Sequence, residues 1–170
     1  MLKTTLKSLL LATMLAAPVT AALAQDITLR ATATSNDQDE DYDGLVVFKN
    51  FVENASNGAI AVELFIGTQL CSKGDECLAG VADGSIDIFV STSGGAAGLF
   101  PYIQVLDLPY LMSDDRVAEH VLSSDFVREL RALMLADSDN LIRLMTVGNT
   151  GGWRSYANTQ RRIETPADLA

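Results

Sequence analysis

The chain predicts an α/β fold built on a parallel sheet. Two observations carry that reading. Strand-like and helix-like segments alternate as far as Val90 in the order β-α-β-α-β, the pattern of strands joined by crossover helices. The third strand candidate, Ile86–Val90 (IDIFV), is a compact apolar run, as expected of a parallel strand buried on both faces.

The elements follow in order. Ile27–Thr34 (ITLRATAT) alternates and is rich in β-branched residues, which reads as a strand. After the acidic run Asp37–Asp43, the residues Leu45, Phe48, Phe51, Val52 and Ala55 recur at three- and four-residue steps, predicting an amphipathic helix that Asn57-Gly58 ends. Ala59–Phe65 is a second strand, with Ile60, Val62 and Leu64 on one face. A short helix spans Asp75–Asp83, and Gly84 stops it. Val105–Met112 (VLDLPYLM) is apolar with Pro109 inside, so it predicts a buried extended turn rather than a central strand. Ser113 caps a long helix running to Leu135, with Asp114 and Asp115 in its first turn and Val117, Val121, Leu122, Phe126, Leu130 and Leu133 on its buried face. Leu141–Val147 (LIRLMTV) is a fourth strand, leading through Gly148 and Gly151-Gly152. Thr165-Pro166-Ala167-Asp168 then reads as a helix start. Isolated helices need roughly 12–15 residues to be marginal in water, so a start this close to Ala170 predicts an incomplete chain.

Residues 1–24 read as an export signal. Lys3 and Lys7 form its positive end, Leu9–Ala17 its apolar stretch, and Ala22-Leu23-Ala24 an A-x-A cleavage site. The apolar stretch is too short for a comfortable membrane span, and no cysteine follows the cleavage site to take a lipid anchor. Residues 25–170 suit one domain. Loss of Lys3 and Lys7 leaves 10 basic residues against 22 acidic ones, a formal charge of −12. That balance argues against nucleic acid and anionic membrane surfaces as partners, and an anionic ligand would need a local cationic pocket. The two cysteines, Cys71 and Cys77, lie close together in CSKGDEC. In an exported chain this reads as a local disulfide; further metal ligands are not nearby, and the spacing is not C-x-x-C.

Several motifs compete for a functional reading. Asp39-x-Asp41-x-Asp43-Gly44 imitates the start of an EF-hand loop, but Asn50 stands where the bidentate glutamate belongs and a strand precedes it. Acidic residues at a helix start explain the run more simply. His120 is the only histidine, and no G-x-S-x-G elbow is present, although a triad is spatial and the sequence leaves it open. Asn54-Ala55-Ser56 fits a glycosylation sequon inside a helix. The polar loop Ser91–Gly95 follows the third strand, where open α/β sheets bind ligands; an ordinary solvated loop is the competing reading. Asn36, Gln69 and Ser93 share such strand-end placements and would offer hydrogen bonds. Arg154 has the planar fork that matches a carboxylate, and Trp153 and Tyr156 could wall a pocket beside it. A surface arginine on a strand is the alternative. Arg161 and Arg162, beside a turn, read as solvated.

Three blocks in this order resemble the periplasmic solute-binding component of TRAP transporters, the DctP family. They are GSIDIFVSTSG (Gly84–Gly94), VLDLPYLMSDDRVAEHVL (Val105–Leu122) and GGWRSYANTQRRIETPADLA (Gly151–Ala170). The resemblance implies a two-lobed, periplasmic-binding-protein-like fold, of which residues 25–170 hold mainly the first lobe and the start of the crossover. It implies a periplasmic receptor, not an enzyme, with no cofactor or metal. Its partners would be a small organic acid, often a carboxylate, and the TRAP permease membrane subunits. Arg154 falls where the family has an arginine that helps bind the substrate carboxylate, and Trp153 would pack against the substrate. In the family the T-P-x-D-L segment runs into Gly-Leu-Lys-Ile-Arg, whose arginine is the principal carboxylate ligand, and this chain stops before it. A receptor for an ATP-driven transporter and a secreted hydrolase using His120 are the competing functions.

Overall fold

A computed structural model describes residues 26–153 and 158–169. The export-signal reading of residues 1–24 lies outside the described residues, as do Arg154 and Tyr156.

Three parallel strands form one sheet in the order β2-β1-β3: β1 (Ile27–Ala33), β2 (Ile60–Ile66) and β3 (Ile88–Val90). The small side chains of Ala31 and Ala33 leave room on one face for helix α1 (Glu40–Ala55), whose Leu45 packs against them and Val62. Phe48 and Val52 complete that contact. Phe51, expected on the same face, is 71% exposed, because its position lies about a quarter turn from the Leu45–Phe48–Val52 stripe. The helix starts earlier than its apolar pattern suggests and takes Glu40, Asp41 and Asp43 into its first turn, where carboxylates complement the helix dipole.

The α1 helix also closes the outer edge of β2. Glu53 Oε1 accepts hydrogen bonds from the Val62 backbone N–H (2.9 Å) and from Lys49 Nζ (2.6 Å), and Lys49 Nζ donates to the Val62 carbonyl (2.7 Å). Ser56 Oγ accepts from the Ile60 N–H (3.1 Å). The bond from Lys49, then that from the Val62 N–H, hold the Glu53 carboxyl below its ordinary value of 4.5.

Helix α2 (Gly74–Asp83) matches its expectation and ends on Gly84, whose φ of +78° is the left-handed conformation glycine supplies. The expected Cys71–Cys77 disulfide is formed, with Cα atoms 5.2 Å apart, and packs against Ile86. The third strand is shorter than IDIFV suggests. Asp87 Oδ2 accepts from the Arg30 N–H (2.7 Å), and the Asp87 N–H donates to the Arg30 carbonyl (3.0 Å).

The remaining elements form a second cluster on the other side of the sheet, reached through Phe89. Helix α3 (Ser93–Ala96) and a 3-10 helix at Pro101–Asp107 bring in Ala96, Phe100 and Ile103, which pack on Leu78, Leu130, Met134 and Ile142. Several expectations are corrected here. The long helix is two, α4 (Asp115–Leu122) and α5 (Asp125–Asp137). Ser124 separates them, its hydroxyl donating to the Val121 carbonyl (2.7 Å) and accepting from the Phe126 N–H (3.3 Å). Asp114 rather than Ser113 caps α4, accepting from the Arg116 and Val117 N–H groups. The buried faces are accordingly Ala118 in one helix and Val127, Leu130 and Met134 in the other, with Val117 and Leu133 partly exposed. Leu141–Val147 is not a strand. Among the described residues no strand runs beside it, and Arg131 of α5 instead donates to the carbonyls of Leu144 (3.1 Å) and Met145. The Val105–Met112 run is helical as far as Asp107 and then exposed at Leu108, Tyr110 and Leu111, Tyr110 having a φ of +61°.

The helix start at Thr165 is a single 3-10 turn, Pro166–Leu169, held by Asp168. Its carboxylate accepts from the Thr165 N–H and hydroxyl and from the Glu164 N–H, and these bonds hold its pKa below the ordinary value. Arg162 pairs with Glu164 (3.0 Å), and Arg161 donates to the Asp168 carbonyl (2.9 Å), so both exposed arginines are engaged.

Gly44 lies in the α1 interior with open space around its missing side chain, so Gly44→Ala should raise stability by about 1 kcal/mol in urea denaturation. The Glu53 carboxyl, lowered on folding, stabilises the protein fully above its ordinary value of 4.5, and that contribution fades as pH falls through the lowered folded value. The stability advantage of wild type over Glu53→Gln should therefore shrink on acidification from about pH 5, in melts recorded along that series. An advantage that grew on acidification would contradict the clasp.

Candidate functional site at the carboxyl rim of the sheet

The three strands finish level. Ala33 is paired with Ile66 on one side and Val90 on the other, so the turns leaving all three strands share one rim. Asn36, Gln69 and Ser93 follow β1, β2 and β3 respectively, Ser93 as the first residue of the next helix, Ser93–Ala96. The rim turns are also tied to each other, the Gly67 N–H donating to the Ser35 carbonyl (2.8 Å).

Each of the three residues is fixed differently. Asn36 Oδ1 accepts from the Gln38 N–H (2.8 Å), and the Asn36 N–H donates to Asp39 (3.0 Å), forming a tight polar turn before α1. Gln69 is exposed. Ser93 Oγ donates to Asp107 Oδ1 (2.7 Å). The Ser91–Gly95 loop is not open. The Thr92 hydroxyl accepts from the Gly95 N–H (3.0 Å) and starts the single turn of α3.

The last part of the chain reaches the same rim. Thr150 Oγ1 donates to Glu40 in the first turn of α1 (3.2 Å), and Trp153 Nε1 donates to Asp115 in the first turn of α4 (2.9 Å). The Trp153 ring is 53% exposed. Arg154 follows it directly in the chain but lies outside the described residues. His120 is exposed in the last turn of α4.

The rim is acidic. Glu40, Asp41 and Asp43 open α1, Asp75 and Glu76 open α2, and Asp107 joins Ser93. Ser72 N–H and hydroxyl donate to Glu76 and hold its pKa below the ordinary value. These carboxylates occupy the positive helix ends where an anion would otherwise settle. The rim therefore offers neutral hydrogen-bonding groups and carboxylates. Sequence reasoning did not single out Asp107 and placed Asp115 only in a first helical turn, because a carboxylate's partner across the fold leaves no local pattern. It also missed the hydroxyls of Thr32 and Ser35 on and just after β1, which are buried without a hydrogen-bond partner among the described residues.

Comparison with known proteins fits this architecture. The family model described as bacterial extracellular solute-binding protein, family 7 (DctP), matches residues 31–170. The 2,3-diketo-L-gulonate-binding periplasmic protein YiaO of Escherichia coli is 28% identical over 122 residues, covering 72% of this chain and 36% of that protein. A TRAP periplasmic solute binding protein from Polaromonas, bound to D-erythronate, superposes with a TM-score of 0.61 at 21% identity, over 65% of this chain and 36% of the other. One from Ochrobactrum anthropi, with its C-terminus in the ligand-binding pocket, gives 0.61 at 25% identity, over 67% and 35%. The chain thus spans about a third of the length of these relatives. No helix among the described residues is long and apolar enough to cross a membrane. With a parallel sheet whose strands end on one rim and a family match over most of its length, the chain belongs to the DctP family of bacterial extracellular solute-binding proteins.

Proposed function

We propose that this chain is part of an exported receptor that captures a small organic acid and delivers it to the membrane subunits of a TRAP permease. The observation that carries this reading is the level carboxyl rim of a β2-β1-β3 sheet in a member of a solute-binding family. Residues 1–24 act as the export signal, and residues 25–170 form the first lobe and the start of the crossover of a two-lobed protein that works in the periplasm. The acidic rim gives Arg154 its role. An entering carboxylate meets carboxylates at the helix starts, so its charge must be matched by an arginine supplied from the crossover. Asn36, Gln69 and Ser93 hydrogen-bond the remainder of the ligand, and Trp153 packs against it. The protein is a receptor without cofactor or metal; one relative named for binding 2,3-diketo-L-gulonate and another solved with D-erythronate support hydroxylated monocarboxylates as the first ligands to try.

The full gene product, purified from the periplasm, should melt higher in the presence of one member of a panel of mono- and dicarboxylates. At a hundredfold excess over Kd the gain is about 2.7 kcal/mol, a rise of roughly 4 °C for a protein of the relatives' length. A flat response across the panel would remove the receptor reading. Arg154→Ala should weaken binding of the responding acid by at least about 30-fold, since the carboxylate loses its paired charge.

Trp153 is the only tryptophan of these 170 residues, and subtracting the spectrum of Trp153→Phe isolates its emission in the full gene product. Asp115→Ala should shift that emission, and Asp115→Asn, which keeps an acceptor, should restore it. An emission spectrum unmoved by Asp115→Ala would show that the indole does not depend on this partner.

A further inference from the structure

The Cys71–Cys77 bridge has a use beyond stapling its own loop. The loop it closes presses on the turn that carries Ser93. Gly74, the first residue of α2, lies so close to α3 that an added Cβ would stand 2.3 Å from the Gly95 carbonyl oxygen. Asp75 sits equally close to Gly98 on the far side of α3, where an added Cβ would stand 2.4 Å from its Oδ1. The bridge itself packs on Ile86 and Phe89, the residues that lead into and form β3. The stapled segment therefore touches the β3–α3 turn before it and after it. Both cysteines are buried, at 4% and 0% exposure, which favours a permanent brace over a redox switch.

We infer that the Cys71–Cys77 bridge is a positioning element for the ligand-facing turn Ser91–Ala96, holding Gly74 and Asp75 against Gly95 and Gly98 so that Ser93 keeps its place on the rim. The bridge contributes to stability as any short cross-link does, but its distinctive effect is local order at that turn. The relevance of Ser93 to a ligand rests on the receptor reading; the brace itself does not.

Hydrogen exchange read by mass spectrometry tests it without a ligand. In Cys71→Ala/Cys77→Ala, amides of residues 91–98 should exchange about tenfold faster or more, relative to wild type, than amides of β1 and β2 do. Equal acceleration everywhere would make the bridge a purely global staple and overturn the proposal, and so would unchanged exchange at residues 91–98. Should the double variant fail to fold, Gly74→Ala keeps the bridge and pushes directly on the Gly95 carbonyl. It should produce the same selective loss of protection, and its absence would likewise overturn the proposal. Failure of the acid panel to raise the melting temperature would sink the receptor reading while leaving this exchange result standing.

Discussion

Everything in this fold hangs on β1 being paired along both of its edges. A strand held from both sides has its backbone polar groups spent on the sheet and its side chains committed to the two faces. Ala31, Thr32 and Ala33 are accordingly fully buried. The alanines allow α1 to lie close over one face, and Thr32 faces the other, where Phe89 joins the second cluster. The registers also make β2 and β3 finish opposite Ala33, so the rim follows directly from the pairing of one strand.

The two outer edges of the sheet are treated differently. The edge of β2 is covered at Val62 by polar side chains from α1 and at Ile60 by Ser56, the residue that caps that helix, which satisfy the backbone and block another strand from adding there. The β3 strand is only three residues long, which protects its edge by brevity. The segment Leu141–Val147 keeps the apolar side chains of a strand, and Ile142 uses them in the core, while its backbone is held by an arginine rather than by a ladder.

Elements governed by near neighbours were legible in the sequence. The first two strands, the helix between them, the helix stopped by Gly84 and the short disulfide all depend on periodicity, a glycine or proximity in the chain. The misreadings depend on something farther away. A strand at Leu141–Val147 needs a partner that no local pattern supplies. The split at Ser123-Ser124 was in principle visible, since a serine followed by Asp125 is a good helix start, but the continuous apolar period across the junction outweighed it. The exposure of Leu108, Tyr110 and Leu111 reflects how this stretch packs as a whole, and apolar character alone misplaced it. At the rim, topology located Asn36, Gln69 and Ser93, whereas the carboxylates that engage Ser93 and Trp153 come from distant parts of the chain.

The carboxylates at the starts of α1 and α2 have a kinetic consequence. A rim of that sign repels an approaching anion over distances comparable to the screening length of the medium. Added salt shortens that length and relaxes the barrier. An ion nearing these turns therefore meets a field whose reach is set by ionic strength, anions being held off farther in dilute surroundings than in salty ones.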